Sequence, residues 1–156
     1  MPTLPNSQFV TNFLSTALFR DVAVTEGVAT PVSARSPCAG ALYKSLGGRT
    51  TLIVADVALA AAAGAALAGF PPSRAEQCAR MGFLDESLQE VVREVMNVCA
   101  RLFDTPGAAQ VLIQEVHFAP PGLPPPLHTA IALSKEKKYF TVAVSGYTKG
   151  RLALYG

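Results

Sequence analysis

Hydrophobic positions recur with a helical period most clearly over residues 84–104. The apolar stripe consists of Leu84, Leu88, Val91, Val92, Val95, Val98, Cys99 and Leu102. The opposite stripe consists of Glu90, Arg93, Glu94, Asn97 and Arg101. This pattern predicts an amphipathic helix with one buried side. Glu94 and Asn97 are three residues apart, so their side chains are neighbours on the outer side.

Two more helices are predicted before this one. Asn6 or Ser7 can cap a helix that ends near Arg20. Asp56 can cap a second, alanine-rich helix that reaches about Gly69. The following stretch, 73–83, is mostly polar and is predicted to be a connection with at most one short helical turn.

The remaining hydrophobic positions favour strands. Val22, Val24 and Val28 alternate with other residues. Two β-type runs flank the glycine pair 47–48, which predicts a hairpin. Loops are predicted at 30–40 and, as a stiff proline-rich segment, at 119–126. The predicted strands are 22–28, 41–46, 50–55, 109–118, 129–133, 139–145 and 151–155.

Because the strands come in groups, the order of elements predicts an α+β fold. We expect an antiparallel sheet of about six strands with long helices packed on one face. The whole chain, 1–156, is predicted to form one domain, with 1–5 as a loose N-terminal end.

Composition narrows the function classes. Net charge is +2 and the only basic cluster is Lys135, Lys137 and Lys138, so no nucleic-acid binding is expected. Three cysteines without CxxC spacing indicate reduced thiols and a cytoplasmic protein. The apolar run 51–70 is interrupted by Asp56 and is rich in alanine, so no membrane insertion is expected. A charged fraction of 15% indicates extensive burial or a self-associating surface.

Few residues are candidates for chemistry. His117 and His128 have no partner at metal-ligand spacing, and Cys99 lies on the buried stripe. Glu94 and Asn97 remain. They are either part of a solvated face, where Glu90 pairs with Arg93 or Glu94 and Asn97 touches Arg101, or a site. Asn is a poor helix former, so the position of Asn97 in the middle of a predicted helix needs an explanation, which favours a site.

The stretch 85–97, with DESL at 85–88 and EVMN at 94–97, resembles the signature helix of the CheC/CheX/FliY family of chemotaxis phosphatases. In that family an acidic-leucine entry leads to Glu-x-x-Asn on an exposed helix. The strand and small-residue helix over 53–69 and the strand with its proline-containing loop over 111–121 are also similar to the CheX pattern. The similarity covers most of 40–145, and one motif indicates CheX rather than CheC, which has two.

The resemblance implies a CheX-like hydrolase that removes the aspartyl-phosphate of a CheY-like response regulator. By this resemblance Glu94 anchors the partner's lysine and Asn97 orients the attacking water. No cofactor belongs to this chain, and Mg²⁺ would be bound by the response regulator. Family members commonly have small residues around the motif, whereas Arg93, Met96 and Arg101 are the neighbours here.

Three alternatives stay open on the sequence alone. The chain is a catalyst, or a non-catalytic CheX-like module that binds a receiver or flagellar-type signalling partner. A small-molecule domain would instead have a sizeable pocket beneath the proline loop. A homodimer is expected, through an edge strand or the alanine-rich helix.

Overall fold

A six-stranded antiparallel sheet organises the structure. The computed structural model describes residues 4–27, 38–104, 110–118 and 123–156. The strands are β1 (Val22–Glu26), β2 (Cys38–Ser45), β3 (Thr50–Asp56), β4 (Val111–Phe118), β5 (Lys137–Val144) and β6 (Gly150–Tyr155). Their order across the sheet is β1-β5-β6-β3-β2-β4, and every neighbouring pair is antiparallel.

Five α-helices accompany the sheet in the described residues. They are α1 (Ser7–Leu18), α2 (Val57–Ala68), α3 (Pro72–Met81), α4 (Glu86–Val98) and α5 (Pro125–Leu133). Successive side chains of a strand point to opposite faces of the sheet, and both faces of this sheet carry buried apolar side chains. The larger core joins one face to α1, α2, α3 and α4. A smaller cluster joins the other face to α5.

α2 is the central helix of the larger core. Asp56 caps it, as predicted, by accepting a hydrogen bond from the Leu59 amide at 2.8 Å. Gly69 ends it in the left-handed conformation, with φ at 76°. Nearly every residue from Leu59 to Ala66 is buried. Neighbouring elements of the same chain thus already cover most of this alanine-rich helix.

Several sequence predictions agree with the structure. The α+β class, the antiparallel sheet and the hairpin at the glycine pair are confirmed, and Gly48 has the positive φ, 86°, that its turn requires. α1 begins after Asn6, whose side chain accepts from the Phe9 amide. Val28 and most of the predicted loop 30–40 lie outside the described residues.

Two predictions of secondary structure are wrong. The polar connection 73–83 is in fact largely helix α3, which buries only Ala75 and Cys78 and so has almost no hydrophobic pattern to read. The predicted strand 129–133 is the second half of α5. This helix begins inside the predicted proline loop, because proline is well suited to the first turn of a helix.

Smaller corrections concern boundaries. Cys38 to Gly40, predicted as loop, belong to β2. Leu4, placed in a loose end, is buried and its amide donates to Glu136 Oε1 at 2.9 Å. The predicted helix over 84–104 changes after Val98 into a 3₁₀ helix, Cys99–Phe103. In the described ranges, no helix has the length and apolar character needed to cross a bilayer.

Candidate functional site

The orientation of α4 is fixed at its first turn and along its buried side. Asp85 caps the helix, and its Oδ1 accepts from the Leu88 amide at 2.9 Å. Leu88 and Val92 are buried, as predicted, and so is Met96, which follows Val92 at the same four-residue spacing but was not included in the predicted stripe. Leu88 and Val92 lie against Gly64 of α2, where an added Cβ would be 3.3 Å and 3.0 Å from them. The missing side chain at Gly64 thus lets the two helices approach closely.

The last turn of α4 is held by Tyr43 of β2. Its hydroxyl donates to the Met96 carbonyl at 2.6 Å and also lies 3.9 Å from Met96 Sδ. Carbonyls in the last turn of a helix lack an intrahelical partner, so this bond satisfies one of them. Burial raises the pKa of Tyr43, so the phenol stays protonated as a donor. This contact sets the rotation of the turn that carries Asn97.

Glu94 and Asn97 are both exposed on the outer side of α4. In the described part of the chain, the side chains of this helix and its cap that form hydrogen bonds are those of Asp85, Gln89 and Met96. The ion pairs among the described residues are Arg74–Asp85, His117–Glu115 and Lys138–Glu136, and none of them includes Glu94. The ion pairing that a merely solvated face would show, between Glu90 and Arg93, is not formed. The structure therefore leaves the Glu94 carboxylate and the Asn97 carboxamide available to a partner.

One of the three bulky neighbours does not stand beside the pair. Met96 is only 4% exposed and packs inward, so the expectation that it flanks the pair on the outer face is wrong. The Arg93 guanidinium lies 5.0 Å from the centre of the Phe118 ring on β4, in cation–π geometry. Arg101 remains exposed on the 3₁₀ helix. Glu90, the helical neighbour of Glu94 one turn earlier, is exposed as well.

The position of Asn97 within its helix also differs from the prediction. α4 ends at Val98, so Asn97 lies in the last turn rather than in mid-helix. Asn is tolerated near a helix end, where its side chain competes with fewer backbone hydrogen bonds. Helix propensity by itself therefore gives no reason to assign Asn97 a function. Its exposure next to Glu94 is the observation that remains.

Other candidate groups are unsuited to chemistry. Burial raises the pKa of Cys99 to about 12, so this thiol is not a nucleophile near neutral pH. His117 Nε2 lies 3.6 Å from Glu115 Oε1, and no third potential metal ligand joins them among the described residues. Asp85 is unsuited as well, because its carboxylate caps α4 and accepts hydrogen bonds from Arg74. Its pKa is lowered by the hydrogen bond from the Leu88 amide and by Arg74.

Sequence reasoning did not find Tyr43 or Phe118, the two residues that arrange the site from the sheet. Neither belongs to a local motif with α4, because they lie on β2 and β4. Tyr43 shows one weak signal, a polar aromatic residue within a short β-type run, since a buried tyrosine needs a partner for its hydroxyl. The partner itself can be identified only in three dimensions.

Comparison with known proteins gives a result for the fold. No protein-family model and no curated protein match the sequence. Among solved structures, Thermotoga maritima FliY is 15% identical, with 93% of this chain and 80% of that chain covered and a TM-score of 0.54. The FliM middle domain from H. pylori is 10% identical, with 96% and 83% covered and a TM-score of 0.58. A chain of the H. pylori FliG–FliM complex is 10% identical, with 96% of this chain and 85% of that chain covered and a TM-score of 0.55.

These likenesses define the class of architecture. This chain, with its six-stranded antiparallel sheet, has a fold similar to those of FliY and the FliM middle domain. The fold predicted from the resemblance to the CheC/CheX/FliY family is therefore confirmed.

Proposed function

We propose that the chain is a CheX-like phosphatase that hydrolyses the aspartyl-phosphate of a CheY-like response regulator. One observation carries this proposal. Glu94 and Asn97 are exposed together on one side of α4, and the described residues leave both side chains without an internal partner. The fold shared with FliY supports it, since the motif then lies on a helix of a compatible architecture.

Glu94 is proposed to anchor the partner. Its carboxylate would form an ion pair with the lysine of the receiver's active site. An exposed pair of this kind contributes only about 0–1 kcal/mol, so its main effect is on register and orientation. Glu86 and Glu90 are exposed on the same side of α4 and add negative charge along the approach.

Asn97 is proposed to position the attacking water. The water oxygen bonds to phosphorus as the bond from phosphorus to the aspartyl oxygen breaks, which releases the aspartate carboxylate and inorganic phosphate. The carboxamide has both a donor and acceptors, so it can hold a water in line with the leaving group. Phosphoryl transfer depends mainly on such placement and on charge stabilisation. Any Mg²⁺ ion would belong to the response regulator and not to this chain.

The proposal is tested by the loss of phosphate from phosphorylated receivers of the source organism, with and without the purified chain. We expect the chain to accelerate the loss and Asn97→Ala to abolish the acceleration. Asn12→Ala is the matched control, because Asn12 is also an exposed asparagine within a helix but lies on α1. If no receiver loses phosphate faster, or if Asn97→Ala is as fast as the unmodified chain, the phosphatase proposal is wrong.

The alternative is a non-catalytic module that binds a receiver or a flagellar-type signalling partner through the same side of α4. The fold likenesses to FliY and to the FliM middle domain are compatible with either function. Titration calorimetry with the same receivers distinguishes the two. Binding without any change in dephosphorylation would assign the chain to the second class.

A homodimer is proposed as well, through an exposed edge of the sheet. β1 and β4 are the two edges, and Leu112 on β4 is 52% exposed. Unpaired edge strands can extend a sheet across two copies. Sedimentation equilibrium should give about twice the mass of one chain. A single-chain mass at high concentration would contradict the dimer.

A further inference from the structure

The face of the sheet opposite α4 carries a cleft. α5 has nine residues and covers only part of this face. Beside it, towards the β2–β3 hairpin, lies an open cavity of about 580 Å³. Leu42 and Lys44 of β2 contribute to its floor, Thr129 and Leu133 of α5 form its wall, and Arg49 and Lys135 lie at its ends. Cavities of roughly 300–1,000 Å³ are typical of small-molecule sites.

Strand alternation explains why the floor combines apolar and charged groups. Leu42 and Lys44 are two residues apart on β2, so both point to the α5 face. Leu42 is nearly buried beneath α5, whereas Lys44 lies where the strand leaves the helix and is exposed. Leu133 on the opposite wall is 76% exposed. The cleft thus has an apolar inner part and a cationic outer part.

The charged side chains of the cleft are cationic. Among the described residues, Lys44, Arg49 and Lys135 line it, without any Asp or Glu. Glu136, next to Lys135, is turned away, because its Oε1 accepts from the Leu4 amide at 2.9 Å and lies 3.9 Å from Lys138 Nζ. Within the described residues, neither Lys44 nor Lys135 forms an ion pair.

Two other polar features of the cleft do not cancel this charge. The Gly156 carbonyl already accepts from the amides of Lys135 and Glu136, at 2.8 Å and 2.9 Å. The C-terminal end of α5 contributes only about half a negative charge. One nitrogen of the Arg49 guanidinium, Nη1, already donates to the Phe103 carbonyl at 3.0 Å. Two lysines and the remaining Arg49 donors are left for a ligand.

We propose that this cleft binds a small organic anion with an apolar body. The apolar part would lie on Leu42 and against Leu133, and the carboxylate, sulfonate or phosphate would meet Lys44 and Lys135. The inference is independent of the proposed phosphatase site, because α4 packs on the other face of the sheet. It would assign this face a ligand that the function on α4 does not require.

The probe is 8-anilinonaphthalene-1-sulfonate, an anion with an aromatic body. Its binding is followed by fluorescence and located by amide chemical-shift changes in the full chain. We expect shifts at Gly48, Arg49 and Ser134, which line the cleft. Lys44→Gln with Lys135→Gln should weaken binding by about tenfold, as two exposed charge contacts of up to ~1 kcal/mol each would predict. Thr129→Trp should block binding by filling the cleft.

Lys149→Gln is the matched control. It removes the same charge from an exposed lysine just before β6, at the end of that strand opposite Gly156. The control should bind the probe as the unmodified chain does. Equal binding by the double variant, or shifts confined to other surfaces, would overturn the proposal. Displacement of the probe by an oligoglutamate peptide at lower concentration would assign the cleft to an acidic protein segment instead and would also overturn it.

Discussion

α2 and α4 pack against each other but have different relations to the rest of the chain. α2 is covered on almost every side, and its residues are alanine, glycine and a few larger apolar side chains. α4 has a buried stripe and an exposed side that contains Glu90, Glu94 and Asn97. The difference shows that a helix can be central to the fold without an exposed side, while its neighbour presents the candidate site.

The N-caps of the two helices make the contrast sharper. Asp56 and Asp85 accept nearly identical hydrogen bonds, at 2.8 Å from Leu59 and 2.9 Å from Leu88. Burial nevertheless raises the pKa of Asp56, whereas the Leu88 amide and Arg74 lower the pKa of Asp85. The same capping residue thus has opposite electrostatics, because α2 begins inside the protein and α4 begins near solvent.

The largest effect should come from disturbing α2. Gly150 of β6 lies against Leu59, and an added Cβ would be 2.4–2.6 Å from Leu59 atoms that include its backbone. Backbone cannot rotate away, so Gly150→Ala should lower the free energy of unfolding by on the order of 4 kcal/mol, above the usual overpacking range. Urea denaturation measures this. Gly47→Ala, whose nearest contact would be 3.7 Å, is the control. Equal stability of both variants would contradict the packing of β6 on α2.

The buried side of α4 should matter more for stability than its exposed side. Leu88 is fully buried, so Leu88→Ala should lower the free energy of unfolding by about 3 kcal/mol. Asn97→Ala should change it by no more than about 0.5 kcal/mol, because the carboxamide is exposed and alanine favours helix. Urea denaturation of both variants checks the pair. A large loss in Asn97→Ala would show that Asn97 has a structural role.

A smaller, pH-dependent effect is expected at Asp56. Its folded pKa is raised above the ordinary 3.8, so the folded state binds the proton more tightly. The stability that Asp56 contributes is therefore complete below pH 3.8 and is lost as pH rises through the folded pKa. The free energy of unfolding of Asp56→Asn, minus that of the unmodified chain, should increase with pH. Denaturation from pH 3.5 to 7 tests this, and a difference that falls with pH would contradict it.

The smallest effect is the opposite one at Asp85. Its folded pKa is lowered, so its contribution is present above pH 3.8 and is lost as pH falls through the folded value. Asp85→Asn should be less stable than the unmodified chain near neutral pH and should approach it in acid. Because the side chain is 39% exposed, the difference will be small. The same denaturation series measures it, and a penalty that grows in acid would be inconsistent with the lowered pKa.

Regular hydrophobic patterns in the sequence were sufficient to predict an element where one of its faces is apolar. α4, the strands of the hairpin and the cap at Asp56 follow directly from period and capping residue. α3 could not be found this way, because only Ala75 and Cys78 are buried in it. α5 was hidden by its prolines, which at the start of a helix are as acceptable as in a loop.

The candidate site was partly predictable for a similar reason. The spacing of Glu94 and Asn97 placed both on the exposed side of α4, which the structure confirms. The hydrogen bond from Tyr43 to the Met96 carbonyl and the stacking of Arg93 on Phe118 depend on β2 and β4, far away in sequence. Long-range contacts of this kind leave no local signal, so the surroundings of the pair required the structure.

The most direct measurement is the rate of receiver dephosphorylation as a function of receiver concentration, for the unmodified chain, Glu94→Gln and Asn97→Ala. A group that only places water acts in the transition state, so Asn97→Ala should lower kcat by roughly 100-fold or more with little change in KM. Glu94→Gln, which weakens the anchor, should mainly raise KM. An Asn97→Ala variant with the kcat of the unmodified chain would contradict the assignment of α4 as a phosphatase site.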